Sequence, residues 1–168
     1  MRDILKFMNG FVDGYGYAGV ISTAEVPKIE LATREFTAAG MTGPVDIRLG
    51  RMASVMTAKL TFQGFDPQLY AALSVSEGDT IPFTIKGSAE DGTGTTHAHS
   101  IKMRGFIKML DEGSWKDGDE VPLILDLSLR YYKRERDGVE LIEIDQENMI
   151  FKVRGTDQLA DHRANIGL

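Results

Sequence analysis

The stretch from Glu120 to Arg154 constrains the fold of this chain more than any other, because apolar and polar residues alternate along it with a period of two. Successive side chains of a β-strand point to opposite faces of the sheet. The sequence therefore predicts one long strand with a core face and a polar face. The predicted core face carries Val121, Leu123, Leu125, Leu127, Leu129 and Tyr131, and the polar face carries Asp126, Ser128, Arg130 and Tyr132.

This strand is predicted to turn at Asp137-Gly138, a dipeptide that supplies the positive φ angles of a type I′ turn, and to return from Val139 to Ile144. At about 3.3 Å per residue the outgoing arm reaches roughly 45 Å. Ordinary strands are about five or six residues long. A strand of this length indicates a sheet that continues beyond its own subunit, or one whose polar side lines a wet cavity.

Length and composition narrow the classes of protein that remain. A chain of 168 residues is expected to form a single domain, 1–168. The absence of cysteine excludes disulfides, thiolate metal sites and cysteine nucleophiles. The net charge of −6 argues against non-specific binding of nucleic acid, which depends on Lys and Arg contacts to phosphate. No apolar run has the roughly 18 residues that span a bilayer, and the first residues lack the apolar segment of a cleaved leader. We therefore expect no membrane insertion and a cytoplasmic start.

Further alternating segments predict a mainly β fold. A glycine turn near Asp13-Gly14 is predicted to join two short strands, and a loop of small residues over 38–44 follows a strand. The strands beginning at Val45 and Ser54 are predicted to pair as a hairpin. Asp66-Pro67 predicts the start of the one main, short helix, because Asp caps free N–H groups and Pro suits the first turn. The fold class is thus an antiparallel β-barrel or sandwich with one main short α-helix and a long β-hairpin.

No group of residues predicts catalysis. His97 and His99 share one face of a strand, but a metal site needs further ligands, and the glycine-rich stretch from Gly87 to Ser100 is predicted to be a mobile surface loop. The acidic turn over 111–119, which holds Trp115, is predicted to be solvated. We expect no enzyme activity and no cofactor.

The chain resembles the major tail tube proteins of contractile-tailed bacteriophages of the P2 type and the tube proteins of R-type pyocins. The resemblance extends over nearly the whole chain, with the stretch 87–99 least similar. It is carried by Val12-Asp13-Gly14, Tyr17-Ala18-Gly19, Pro27-Lys28, Ala39-Gly40-Met41, Pro44-Val45, Ser114-Trp115-Lys116, Gly118, Tyr131-Tyr132-Lys133, Ile144-Asp145, the segment from Gly155 to Ala160, Arg163 and Gly167-Leu168.

The resemblance implies a structural subunit with the tail-tube fold shared with the Hcp tube of type VI secretion systems. Six copies form a ring, rings stack into a hollow helical tube, and the tube is driven through the target envelope and conducts DNA in a phage. Implied partners are a sheath protein outside, a tape-measure protein and DNA inside, and baseplate and tail-terminator proteins at the ends. The implied location is the virion or a tail-like particle assembled in the bacterial host cytoplasm.

The resemblance also implies the sites of contact. Predicted subunit or ring contacts are Ala39, Gly40, Met41, Thr42, Gly43, Pro44, Arg48, Arg51, Asp157 and Leu168, and the candidates for the channel lining are Asp126, Ser128 and Arg130. The alternative from the β pattern alone is a monomeric small β-barrel that binds an apolar ligand.

Overall fold

The protein is mainly β. The structure, a computed structural model, describes residues 2–74 and 76–168 and divides them into twelve strands and two short helices. The elements are β1 Ile4–Val12, β2 Tyr15–Gly16, β3 Ile21–Glu25, β4 Leu31–Phe36, β5 Val45–Met52, β6 Met56–Gln63, α1 Pro67–Ala71, β7 Ile81–Glu90, β8 Thr96–Asp111, β9 Pro122–Arg136, β10 Val139–Asp145, β11 Ile150–Val153, β12 Thr156–Asp157 and α2 Ala160–Asn165.

Strand β9 is the centre of the main sheet. It pairs with β8 along nearly its whole length. On its other edge the first half, Pro122–Leu129, pairs with β6 and the second half, Tyr131–Arg136, pairs with β10. The full order is β12-β11-β10-β9-β8-β7-β1-β2, with β3 joined through β6. The long predicted strand is therefore confirmed. Its length allows β9 to pair with β6 and then with β10 along the same edge.

The core lies on the inner face of this sheet. Leu123, Leu125 and Leu127 of β9 are 0% exposed, as are Phe62 of β6 and Phe83 of β7. Each such side chain contributes about 1.5–3 kcal/mol to stability when it leaves water. Leu69 of α1 joins the same cluster. The predicted fold class, a mainly β antiparallel protein, is confirmed.

A β-bulge at Arg130 reverses the predicted faces of the following residues. Arg104 pairs with Tyr131 and Gly105 pairs with Leu129, so Arg130 has no opposite residue on β8. A bulge inserts one residue and shifts the alternation by one position. As a result Tyr132 is buried at 5% exposure while Tyr131 lies on the outer face. The prediction that Tyr131 faced the core and Tyr132 the solvent was wrong.

Two further predictions of local structure were wrong. Strand β5 pairs with β4, whereas β6 pairs with β3 and β9, so the predicted hairpin between the strands at Val45 and Ser54 does not form. The glycine-rich stretch from Gly87 to Ser100 is mostly strand, because β7 and β8 pair in register from Ile81↔Gly105 to Glu90↔Thr96. Only residues 91–95 connect them.

The helices are both short. Asp66 caps α1 as predicted, its side chain accepting a hydrogen bond from the backbone N of Gln68 at 2.9 Å. Helix α1 has 5 residues and α2 has 6. Within the described residues, no helix is long and apolar enough to cross a membrane.

Candidate assembly surfaces

The hairpin of β4 and β5, here called the arm, forms a two-stranded sheet separate from the main sheet. An isolated two-stranded hairpin is only marginally stable in water. This arm nevertheless exposes large apolar side chains, at 50% for Phe36, 48% for Val45, 48% for Ile47 and 45% for Leu49. A contiguous exposed apolar surface of this kind is typical of a site that another protein covers.

The predicted contact loop 39–44 forms the tip of the arm. Gly40 adopts a φ of +89°, which a side chain would strain, and a Cβ at Gly40 or Gly43 would meet no atom within 4 Å. The Met41 sulfur accepts a hydrogen bond from the backbone N of Ala38 at 3.2 Å. The Met41 side chain is half-buried. The other residues of the loop are exposed or half-buried, so a partner chain can contact them.

A groove of about 710 Å³ lies between the base of the arm, the β10–β11 turn and α2. We call it the arm groove. Its walls are largely apolar, and its polar rim includes Arg48 and Arg51, two of the predicted contact residues. The apolar lining includes Leu49, Met52, Val55, Ile150, Phe151 and Leu159.

The other two predicted contact residues differ in their surroundings. Leu168 is 77% exposed. The Asp157 carboxylate forms an ion pair with Arg163 and accepts a hydrogen bond from the backbone N of Leu159 at 3.0 Å. These contacts lower the pKa of Asp157, the hydrogen bond from Arg163 being the larger cause. Asp157 thus fixes the turn before α2, whose N-cap residue Leu159 makes no side-chain cap hydrogen bond.

The three channel candidates lie on the outer face of β9 and are half-buried. Asp126 lies 4.0 Å from Lys59, and Arg130 forms an ion pair with Glu147 at 3.0 Å. Ser128 stands opposite Thr57 of β6 and Phe106 of β8. Asp126 and Ser128 therefore lie beside β6 on the first half of β9, whereas Arg130 lies at the bulge beyond the end of that pairing.

Sequence reasoning missed the charged residues that continue this face beyond the bulge. Lys133 lies 3.2 Å from Glu135, 3.9 Å from Glu140 and 4.0 Å from Glu143. Lys102 of β8 lies 3.9 Å from the same Glu135. The hydrogen bond with Glu135 raises the pKa of Lys133. The spacing of two residues between Lys133 and Glu135 indicates that they share one face of β9. Which face they share could be assigned only after the bulge at Arg130 was known.

The described residues contain no group of three or more His, Asp or Glu side chains that could hold a metal. The exposed apolar side chains of the arm are typical of a structural protein whose surface other chains cover. A family model described as phage tail tube protein FII matches residues 2–167, and the chain belongs to this family.

Two curated relatives agree with that family. The chain is 38% identical over 169 residues to the tail tube protein of Escherichia phage P2, which covers 98% of this chain and 96% of the relative. It is 29% identical over 157 residues to the major tail tube protein of Serratia phage KSP20, which covers 94% of this chain and 91% of the relative. The protein is thus a structural subunit of a phage-type tail tube and a component of the virion tail, and is not an enzyme.

Proposed function

We propose that residues 1–168 form one tail tube domain, that six copies close into a ring, and that rings stack into a hollow helical tube. The observation that carries this proposal is the arm, which leaves four large apolar side chains about half exposed in a chain of the tail tube family. A partner chain that covers the arm removes this surface from water. Membership of the family also sets aside the monomeric ligand-binding barrel.

Open sheet edges support ring formation. Strand β1 pairs with β7 along its length but meets β2 only at Phe11 and Val12. Within the described residues, the edge of β1 from Ile4 to Gly10 therefore has a neighbouring strand on one side only. Ile4, Leu5 and Phe7 on this strand are 56%, 57% and 78% exposed. An exposed strand edge pairs readily with another chain, and closure of a barrel removes such edges.

The proposed tube carries out the remaining functions in a larger particle. A sheath protein surrounds it, a tape-measure protein and DNA occupy its channel, and baseplate and tail-terminator proteins bind its ends. Subunits assemble in the cytoplasm of the bacterial host, and contraction of the sheath drives the tube through the target envelope. The polar face with Asp126, Ser128 and Arg130 faces the channel.

Electron microscopy of the purified protein tests this proposal. Negative staining and light scattering at high concentration, with and without a baseplate template, are expected to show hexameric rings or hollow tubes. Deletion of residues 39–44 is expected to leave a folded monomer that forms no tubes, because the deletion removes the arm tip but no core residue. A chain that stays monomeric even with the template would contradict the proposed function.

A further inference from the structure

The arm groove has a basic rim around an apolar floor. Arg48, Arg51 and His162 contribute to its lining. Within residues 2–74 and 76–168, neither arginine forms an ion pair with a carboxylate of its own chain. The one acidic residue of the lining, Asp145, is only 9% exposed and accepts hydrogen bonds from the backbone N and the side-chain N of Asn148 at 3.2 and 2.7 Å. The groove therefore suits an occupant that is both apolar and acidic.

The segment 111–120, here called the acidic loop, has this chemistry. It carries five carboxylates and one lysine. At its tip Trp115 is 70% exposed, and its ring packs on Phe65 with 5.6 Å between the ring centroids. Phe65 is itself 40% exposed. Tryptophan is among the residues that contribute most to protein interfaces, and it does so from well-packed pockets.

Hydrogen bonds order the first residues of the acidic loop. The Tyr70 hydroxyl of the α1 region donates a hydrogen bond to Glu112 at 2.6 Å, which raises the pKa of Tyr70. The backbone N of Gly113 donates to Asp111 at 2.8 Å, and Gly113 adopts a φ of +69°. A surface that is ordered before binding loses little conformational entropy when it binds.

The groove and the loop of one molecule lie apart along the length of β9. The loop joins β9 near the pair Gln63↔Pro122, whereas Ser54 and Val55 of the groove immediately precede the pair Met56↔Leu129. These two pairs are separated by about 23 Å at 3.3 Å per residue. One copy therefore offers the groove at one place and the acidic loop at another. Contacts between two different surfaces of identical subunits are head-to-tail and propagate as rings or filaments.

We propose that the acidic loop of one copy inserts Trp115 into the arm groove of a second copy, where loop carboxylates pair with Arg48 and Arg51. The inference rests on the proposed tube function and identifies the two surfaces that join successive subunits. A groove of about 710 Å³ lies in the size range of pockets that enclose a group as large as an indole with its neighbours. Paired opposite charges on the rim fix the orientation of the inserted ring.

Charge reversal tests the pairing. We expect Arg48→Glu with Arg51→Glu, and separately Asp117→Lys with Asp119→Lys, to raise the concentration needed for assembly by about tenfold or more, because like charges then face each other across the contact. A 1:1 mixture of the two variants restores opposite charges at every contact and is expected to assemble again as alternating copies. Glu77→Lys with Asp79→Lys reverses two exposed acids outside the loop and serves as the matched control, which is expected to assemble normally. Circular dichroism verifies that each variant is folded.

Fluorescence gives an independent test, because Trp115 is the single tryptophan of the chain. On assembly its emission is expected to shift to shorter wavelength, and its quenching by acrylamide is expected to fall at least severalfold. Tubes in which Trp115 remains as accessible as in the monomer, or tubes formed by either charge variant alone at the concentration that suffices for the unchanged chain, would overturn this contact and leave the tube function intact. Failure of the unchanged chain to assemble even on a template would overturn both.

Discussion

At the scale of single residues, His97 joins the ends of two hairpins. Its Nδ1 lies 2.8 Å from the Asp137 carboxylate in the β9–β10 turn, and its Nε2 lies 3.3 Å from Asp91 in the β7–β8 turn. Asp91 also accepts hydrogen bonds from the backbone N and the hydroxyl of Thr93, and Asp137 accepts one from the backbone N of Ala98. A histidine predicted to lie in a mobile loop thus connects two ordered turns.

This contact is expected to weaken as the pH rises above neutrality. Hydrogen bonds to Asp137 and Asp91 raise the pKa of His97 from 6.5, although Arg136 opposes them. Contacts with Thr93 and His97 lower the pKa of Asp91 and of Asp137, respectively, from 3.8. Because the pKa of His97 is higher in the folded state, this histidine stabilises the fold below its unfolded-state pKa, and the contribution is lost as pH rises through its folded-state pKa. Because the pKa values of Asp91 and Asp137 are lower in the folded state, these carboxylates stabilise the fold above their unfolded-state pKa. The contact is therefore strongest at a pH between the unfolded-state pKa of the two aspartates and the unfolded-state pKa of His97.

Urea unfolding at about pH 5.5 and about pH 8.5 measures the difference. In the unchanged chain, the contribution of His97 to the free energy of unfolding is expected to be smaller at the higher pH. The variant His97→Ala is expected to lack this decrease. His162→Ala removes a histidine of α2 that has no ion pair in the described part of the chain, and is expected to keep it. Equal pH dependence in the His97 variant and the unchanged chain would contradict the proposed role of His97.

Gly105 is required by the bulge on β9. A Cβ at this position would lie 1.9 Å from the backbone O of Ser128 and 2.9 Å from the Cα of Leu129. Backbone atoms cannot move aside as a flexible side chain does, so Gly105→Ala is expected to cost about 1–3 kcal/mol or more in unfolding free energy. Gly92→Ala, where a Cβ meets nothing within 4 Å, is the control and is expected to change little. Thermal denaturation of both variants measures the effect, and equal stability would show that the bulge tolerates a side chain.

At the scale of elements, alternation in the sequence predicted strands better than their partners. The period of two and the dipeptide Asp137-Gly138 correctly located β9, its turn and β10, because these are local features. The pairing of β6 with β3 and β9 is non-local, and apolar alternation is compatible with any of several neighbours. That is why β5 and β6 were wrongly predicted to form a hairpin. The second half of β7, from Gly87 to Glu90, and the start of β8 were predicted to be a loop because their residues are polar and small.

The bulge and the surfaces were less predictable for related reasons. A bulge adds one residue without interrupting the run of β-forming side chains, so Tyr131 and Tyr132 could not be assigned to faces from periodicity alone. Arg48 and Arg51 were named as contacts through the resemblance to a family, and the structure places both at one groove. Their roles, and that of the loop 39–44, remain predictions because assembly contacts involve surfaces of two copies.

The arm provides an element-scale prediction. Phe36 stands opposite Val45 and Arg34 opposite Ile47, so Phe36 and Ile47 lie on a strand pair outside the main core. We expect Phe36→Ser combined with Ile47→Ser to leave the unfolding free energy of the monomer nearly unchanged and to abolish tube formation, because these side chains are covered only in the assembly. Chemical denaturation and electron microscopy measure the two effects.

The control for the arm variant is Val139→Ser with Leu73→Ser, since these residues are 51% and 44% exposed and lie outside the arm. Its tubes are expected to be normal, which would show that the arm variant does not act through general loss of apolar surface. Normal tubes from the arm variant itself would contradict the assignment of the arm as a contact.

At the scale of the whole molecule, the net charge of −6 is not concentrated on the outer face of β9 and β10. There Lys133 and Lys102 form ion pairs with Glu135, Glu140 and Glu143, which leaves a surplus of one negative charge in this group. The acidic loop carries a larger local surplus of carboxylates. If the outer face lines the channel, its wall is charged but internally paired. Such a wall offers phosphates few free cations, which is what passage of DNA without retention requires.

Reversal of one charge on this face tests that account. Glu143 stands directly opposite Lys133, so Glu143→Lys removes one partner of Lys133 and adds a further cation to the proposed channel wall. Tubes of this variant are expected to retain short single-stranded DNA at low salt and to release it as salt rises, because binding through Lys and phosphate depends steeply on counterion release. Tubes of the unchanged chain and of Asp161→Lys, which makes the same charge change on α2, are expected to retain none. Retention by the Asp161 variant alone would place the channel wall on a different face of the subunit.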